Sequence, residues 1–214
     1  MQQTKLWING QWESTSNTYN LTSPYTGDTI AHVAKASVQD VERAIEGAHE
    51  AFQTFKKTSA YERAEMLYRV VDIMRERREE LANILVQEAA KPLKAALGEI
   101  DRTIATYQFS AEEAKRSHGE TIPMDAAPGT QDRIGYTKRI PLGVVSAITP
   151  FNFPFNLVAH KLGPAFAVGN TVVLKPATQT PLSSIVMAEI FKEAKLPDGC
   201  LQIVTGSGGE LSDT

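Results

Sequence analysis

The chain reads as an α/β protein built around a parallel sheet, on three observations. Between Ile140 and Pro181 a short run of small and β-branched residues, an apolar segment of helical length and a second β-rich run follow one another as a strand–helix–strand unit. A further segment of helical length, Leu182 to Ala194, leads to a third β-rich run at Leu201 to Val204. Ahead of both, the stretch from Ser37 to Ser117 repeats apolar side chains at helical spacing, as a helical layer does.

Taken in order, Leu6–Ile8 and Gln11–Glu13 flank Asn9-Gly10, a pair that accepts the positive φ of a type I′ hairpin turn. A turn follows at Ser23-Pro24-Tyr25-Thr26-Gly27, and Thr29 to Ala34 alternates as a strand. Ser37 with Asp40 and Ser59 with Glu62 have capping-box spacing, so each opens a helix. The first places Val41, Ala44, Ile45, Ala48 and Phe52 on one face. The second carries Leu67, Val70, Val71 and Met74 and is expected to continue through Leu81, Ile84 and Leu85 to the break at Lys91-Pro92. A third, Leu93 to about Ser117, shows Leu97, Ile100, Ile104, Tyr107 and Ala111 at the same spacing. The mixed charges of Arg75 to Glu80 belong to solvated helix faces.

From Glu120 to Arg139 the pattern changes. Pro123, Pro128 and Gly129 interrupt it and Arg133 to Lys138 alternates, which predicts two extended strands joined by a loop. Gly143 to Thr149 is then a buried strand, Asn156 to Val168 a helix stopped by Gly169-Asn170, and Thr171 to Leu174 a strand ending at Lys175-Pro176. Gly206-Ser207-Gly208-Gly209 follows the third strand as a tight turn. It is not the dinucleotide fingerprint, whose third glycine would have to be Leu211. The expected organisation is a hairpin and helical layer over 1–119, an extended arm over 120–139 and the first βαβ units over 140–214. A parallel sheet of three strands leaves an edge open.

Bulk properties exclude some partners. With 42% hydrophobic and 22% charged residues the chain is ordinary globular material, and a formal charge of −3 shows no basic bias toward nucleic acid or an anionic membrane. No apolar run of signal-peptide or membrane-spanning length occurs, so a cytoplasmic location is expected. Cys200, the single cysteine, excludes an internal disulfide and reads as a small buried hydrophobe at the start of a strand rather than a nucleophile. His32, His49 and His118 are expected on turns and helix ends, without metal-ligand spacing. His160 reads as a partly buried, satisfied histidine.

Asn152 and Lys175 both fall at the carboxyl ends of predicted parallel strands, where open α/β sheets bind their ligands. Prolines 150 and 154 hold the backbone on either side of Asn152. Its neutral NH₂ group can donate to a developing oxyanion without titrating, or can merely close the loop. Lys175, on its own, reads more often as a solvated lysine.

The segments ITPFNFP, GPAFAVGNTVVLKPATQTP and LPDGCLQIVTGSG resemble the first half of the coenzyme domain of the NAD(P)-dependent aldehyde dehydrogenase superfamily. The resemblance implies a Rossmann-like coenzyme domain, oxidation of an aldehyde to an acid, and NAD or NADP as cofactor. It assigns Asn152 as the oxyanion donor, and Ile148, Thr149, Pro150 and Phe151 to the path between coenzyme and Asn152. Lys175 matches the lysine that bonds the adenosine ribose, and Gly206, Gly208 and Gly209 match the turn beside the adenine. Phe153 and Leu157 lie on the substrate side. Thr178 stands where several NAD-preferring relatives carry a glutamate that repels a 2′-phosphate, which implies that NADP is tolerated or preferred. The arm at 120–139 implies a homo-oligomer.

Relatives of that family are more than twice as long. The cysteine nucleophile and general-base glutamate of its motifs have no match here, so the chain alone is not expected to oxidise aldehydes. Two further readings stand: a non-catalytic nucleotide-binding or interaction module, and an unrelated phosphate-binding α/β protein. A complementing carboxy-terminal half is the partner that would restore activity.

Overall fold

In the computed structural model residues 2–211 are described; Met1 and residues 212–214 of the ranges above lie outside them. The main sheet holds β2 (Leu6–Ile8), β3 (Gln11–Glu13), β8 (Val144–Ile148), β9 (Thr171–Lys175) and β10 (Leu201–Ile203), in the order β3-β2-β10-β9-β8. β8 and β9 run parallel from Val144 opposite Thr171 to Ile148 opposite Lys175, and β10 adds parallel to β9. Beyond β10 the amino-terminal hairpin pairs antiparallel, Trp7 opposite Ile203. The edge at β10 is thereby sealed, and the open edge of the parallel strands is β8 instead. The hairpin turn is as expected, with Asn9 and Gly10 at φ 51° and 78°.

A second sheet, in the order β1-β5-β4, consists of β1 (Gln2–Gln3), β4 (Thr18–Thr22) and β5 (Thr29–Ala34). β4 has no counterpart in the sequence expectation, because Thr-Tyr-Asn-Leu-Thr buries only Leu21 and its alternation is correspondingly weak. The expected arm is shorter than predicted: β6 (Thr121–Ile122) pairs antiparallel with β7 (Gly135–Tyr136), and a 3₁₀ turn at Met124–Ala126 lies between them.

Both capping boxes form. Ser37 opens α1 (Val38–Phe55) and Ser59 opens α2 (Ala60–Glu76), each serine accepting from the amide three residues on. The second helix does not continue to Lys91. It breaks at Arg77 (φ −95°, ψ 14°), and α3 (Arg78–Ala89) restarts directly after it with Leu81, Ala82 and Leu85 buried. Ala90 then turns left-handed at φ 50°. α4 (Leu93–Ala114) ends before Ser117, since Lys115 and Arg116 already bond in tight turns to Glu112 and Glu113 carbonyls. α5 (Pro154–Ala167), opened by proline at its first position, and α6 (Leu182–Glu193) cross between the parallel strands.

The core joins the helical layer to the crossover helices α5 and α6 through edge-to-face aromatic contacts. Phe166 of α5 lies 6.2 Å from Phe55 and 5.1 Å from Phe191, which meets Tyr107 at 5.7 Å. Cys200 is fully buried as expected, and burial pushes its thiol up to about 12, with Asp198 adding to the shift. His32 and His49 are not on turns or helix ends: His32 lies within β5, its Nδ1 2.8 Å from Asn20 Oδ1, and His49 lies mid-way along α1. His160 on α5 is exposed rather than partly buried. Among the described residues no His, Cys, Asp and Glu group has metal-holding geometry, and no helix is long and apolar enough to cross a membrane.

Candidate functional site

The carboxyl ends of β8 and β9 are level, Ile148 opposite Lys175, and the Thr149 amide donates to the Lys175 carbonyl at 3.2 Å. Two chain segments therefore leave the sheet side by side: Thr149 to Phe153 from β8, and Lys175 to Thr180 from β9. In the first, Ile148, Pro150, Phe151 and Asn152 are exposed whereas Thr149 is buried beneath them. Among the described residues no hydrogen bond engages the Asn152 side-chain amide, so its NH₂ is available to an outside acceptor.

Lys175 is half-buried. Its ammonium has one long contact, 3.4 Å to the Pro176 carbonyl, and no carboxylate pairs with it among the described residues. Desolvation accordingly lowers its pKa. Thr178 is exposed, and its carbonyl accepts from the Tyr19 hydroxyl at 3.0 Å. That phenol's pKa is raised, first by burial and then by the Glu88 charge. The strand that the sequence did not announce, β4, is thus the brace under this segment.

After β10, Gly206 adopts φ 152°, and a Cβ there would approach Leu211 Cδ1 to 3.1 Å. Gly208 and Gly209 open the short helix α7 (Gly208–Leu211) rather than closing a tight turn. A Cβ at either would meet nothing within 4 Å. The molecule's own packing does not require glycine at these two positions; close approach of something from outside would.

Neither α5 nor α6 can cap itself. Their N-cap residues are Phe153 and Pro181, and neither supplies a side-chain acceptor. Two buried carboxylates from the helical layer do so instead. Glu99 on α4 accepts from the amides of Phe155 (3.0 Å) and Asn156 (3.3 Å), and Glu88 on α3 accepts from those of Leu182 (2.7 Å) and Ser183 (3.1 Å). Sequence reasoning passed over both. The available signal was a carboxylate set on a buried stripe, Glu99 beside Ala96, Ile100 and Thr103, and Glu88 beside Leu85.

Burial raises the Glu88 carboxyl to about 7 against the lowering effect of its hydrogen bonds to Ser183 and Leu182. Its folded pKa exceeds the unfolded 4.5, so the folded state holds the extra proton between these values. The associated stability is complete below the lower value and is lost as pH rises through the upper one, by up to about 3 kcal/mol. Urea denaturation between about pH 4.5 and 7 should show this fall, and Glu88→Gln should flatten it; an equal slope in the variant would remove Glu88 as the cause.

A hollow of about 780 Å³ lies elsewhere. Pro141, Leu142 and Asn170 in its wall precede β8 and β9, so it opens at the amino ends of the strands, opposite the segments that carry Asn152 and Lys175. Phe153 and Leu157, half-buried, stand at the start of α5, directly after Asn152 in the chain.

Residues 12–214 match the aldehyde dehydrogenase family. The 3-sulfolactaldehyde dehydrogenase of Priestia aryabhattai is 46% identical over 209 residues, covering 97% of this chain and 43% of that protein. The D-glyceraldehyde dehydrogenase (NADP(+)) of Thermoplasma acidophilum is 40% identical over 213 residues, covering 98% of this chain and 42% of that one. Among solved structures, the NADP-dependent glyceraldehyde-3-phosphate dehydrogenase from Bacillus halodurans, complexed with NADP, superposes with a TM-score of 0.96 at 39% identity, over 100% of this chain and 45% of that one. The chain thus spans less than half the length of these relatives, and matches them almost from end to end of its own. By sequence and by fold it belongs to the aldehyde dehydrogenase family.

Proposed function

We propose that this chain supplies the coenzyme-side part of an NAD(P)-dependent oxidation of an aldehyde to a carboxylic acid. One observation carries the reading: a half-buried lysine and an asparagine, the first without a carboxylate partner and the second with an unengaged amide among the described residues, leave adjacent strands on the same edge of the sheet. Lys175 would hold the adenosine ribose, with Gly208 and Gly209 beside the adenine and Ile148, Thr149, Pro150 and Phe151 along the path to Asn152. The donor set fits such a group, since it offers a cation, open glycine backbone and exposed apolar surface at one edge. When bound, the coenzyme supplies the hydride acceptor. Asn152 would donate to the oxyanion of the tetrahedral adduct, and Phe153 and Leu157 would face the substrate.

The nucleophile is not Cys200, whose thiol is buried and whose pKa is raised far from neutrality. It and the base that activates water would come from outside this chain, either in a longer polypeptide or in a complementing carboxy-terminal half. On this reading 1–119 and 140–214 are parts of the coenzyme domain and 120–139 is the arm of a homo-oligomer. The test is to combine the chain with the carboxy-terminal remainder of the Priestia relative and follow coenzyme reduction with an aldehyde. Turnover that needs both pieces supports the reading, and coenzyme binding without turnover points to a non-catalytic nucleotide-binding module.

Thr178 sets the coenzyme preference in this scheme. No carboxylate there repels a 2′-phosphate, and Lys175 favours the added charge. Thr178→Glu should weaken NADP binding by about tenfold or more, a like-charge effect of about 1.4 kcal/mol or above, while changing NAD binding little. Equal NADP affinity in the variant, measured by fluorescence titration, would count against this role.

A further inference from the structure

The loop that presents Asn152 is held from below by two charged residues of the helical layer. Lys91, in the α3–α4 connection, donates to the Asn152 carbonyl at 3.0 Å and pairs with Glu99, whose side chain is wholly buried. The other Glu99 oxygen, Oε1, accepts the Phe155 and Asn156 amides. The Lys91 ammonium also lies 4.4 Å from the Phe153 ring centre, and Arg102 approaches the same ring at 5.0 Å. Residues 152, 153, 155 and 156 are therefore each engaged by one ion pair, while among the described residues no hydrogen bond engages the Asn152 side chain.

We infer that Lys91 and Glu99 are positioning residues for Asn152. An oxyanion donor acts only from a fixed place, and a shift on the order of 1 Å is costly. Asn152 lies on a loop between a strand end and a helix whose own N-cap cannot hold the first turn. The ion pair fixes both sides at once: the carboxylate pins the first amides of α5, and the ammonium pins the carbonyl of Asn152 itself. A solvent-facing pair would do this poorly. Burial of Glu99 keeps water from competing with the two amides for its Oε1 oxygen.

This role rests on the oxyanion reading of Asn152, and the test separates the two. Lys91→Met/Glu99→Leu removes the clamp without leaving a lone buried charge, and Lys91→Arg keeps the cation. In the chain itself, hydrogen exchange at the Phe155 and Asn156 amides should quicken at least tenfold in the double variant and stay near wild type in Lys91→Arg. In the enzyme assembled with the carboxy-terminal remainder, kcat should fall about 10–100-fold with coenzyme KM within about twofold, because Lys175 and Thr178 lie on the other segment. Unchanged exchange overturns the clamp whatever the activity. Faster exchange with unchanged kcat overturns the positioning role if Asn152→Ala lowers kcat. If Asn152→Ala is itself silent, the oxyanion reading falls and the positioning role with it.

Discussion

Asn152→Ala should lower kcat of the assembled enzyme by about 10²–10³-fold, the usual cost of removing one oxyanion donor. Coenzyme KM should hardly change. The split follows from the layout of the edge. Asn152 leaves from β8, whereas Lys175 and Thr178 leave from β9, and Asn152 is exposed with no side-chain hydrogen bond among the described residues. Truncating it removes a donor and little else, so the loss belongs to the step in which negative charge develops on oxygen. Asn152→Asp should do at least as much harm, because a carboxylate cannot donate and its charge opposes the oxyanion. Steady-state kinetics of the three proteins is the check. A kcat within about threefold of wild type in Asn152→Ala would remove the residue from the chemistry.

Phe191→Ala should destabilise the folded chain by about 3–5 kcal/mol. Phe191 is at once the partner of Phe166 at 5.1 Å and of Tyr107 at 5.7 Å, so its ring links α6 to α5 and α4. It is fully buried, as both partners are, and neither helix can move inward without losing its own contacts. Against a total stability of roughly 5–15 kcal/mol for a domain, such a loss takes a large share of the whole. The urea midpoint, followed by circular dichroism, should drop with an unchanged slope. A loss below about 1 kcal/mol would mean that the cavity collapses and that the aromatic contacts do not hold the layers together.

Local features were legible because their causes are local. Ser37 with Asp40 and Ser59 with Glu62 cap their helices through groups three residues apart, and Asn9-Gly10 turns because those two residues tolerate positive φ. The three parallel strands were legible from apolar period and punctuation, but the first, expected to be buried, is a half-exposed edge strand with only Ala147 buried. The break at Arg77 was not legible. Nothing near it is proline or glycine, and the apolar spacing continues through it, with Met74 before the break and Leu81 and Leu85 after it all in the core. β4 was missed because most of its length is stabilised by pairing with β5, not by burial of its own side chains.

The sequence by itself placed Asn152 and Lys175 at strand ends and put no carboxylate at position 178, since these depend only on residue identity and on the nearest strand boundary. Which edge of the sheet is sealed, what braces Thr178 and what caps α5 and α6 were decided by tertiary structure alone. Each joins residues far apart in the chain: Trp7 with Ile203, Tyr19 with Thr178, Glu99 with Phe155 and Glu88 with Leu182. A carboxylate on a buried helix stripe looks like an error until the amides that it must satisfy are brought to it, and only folding brings them there.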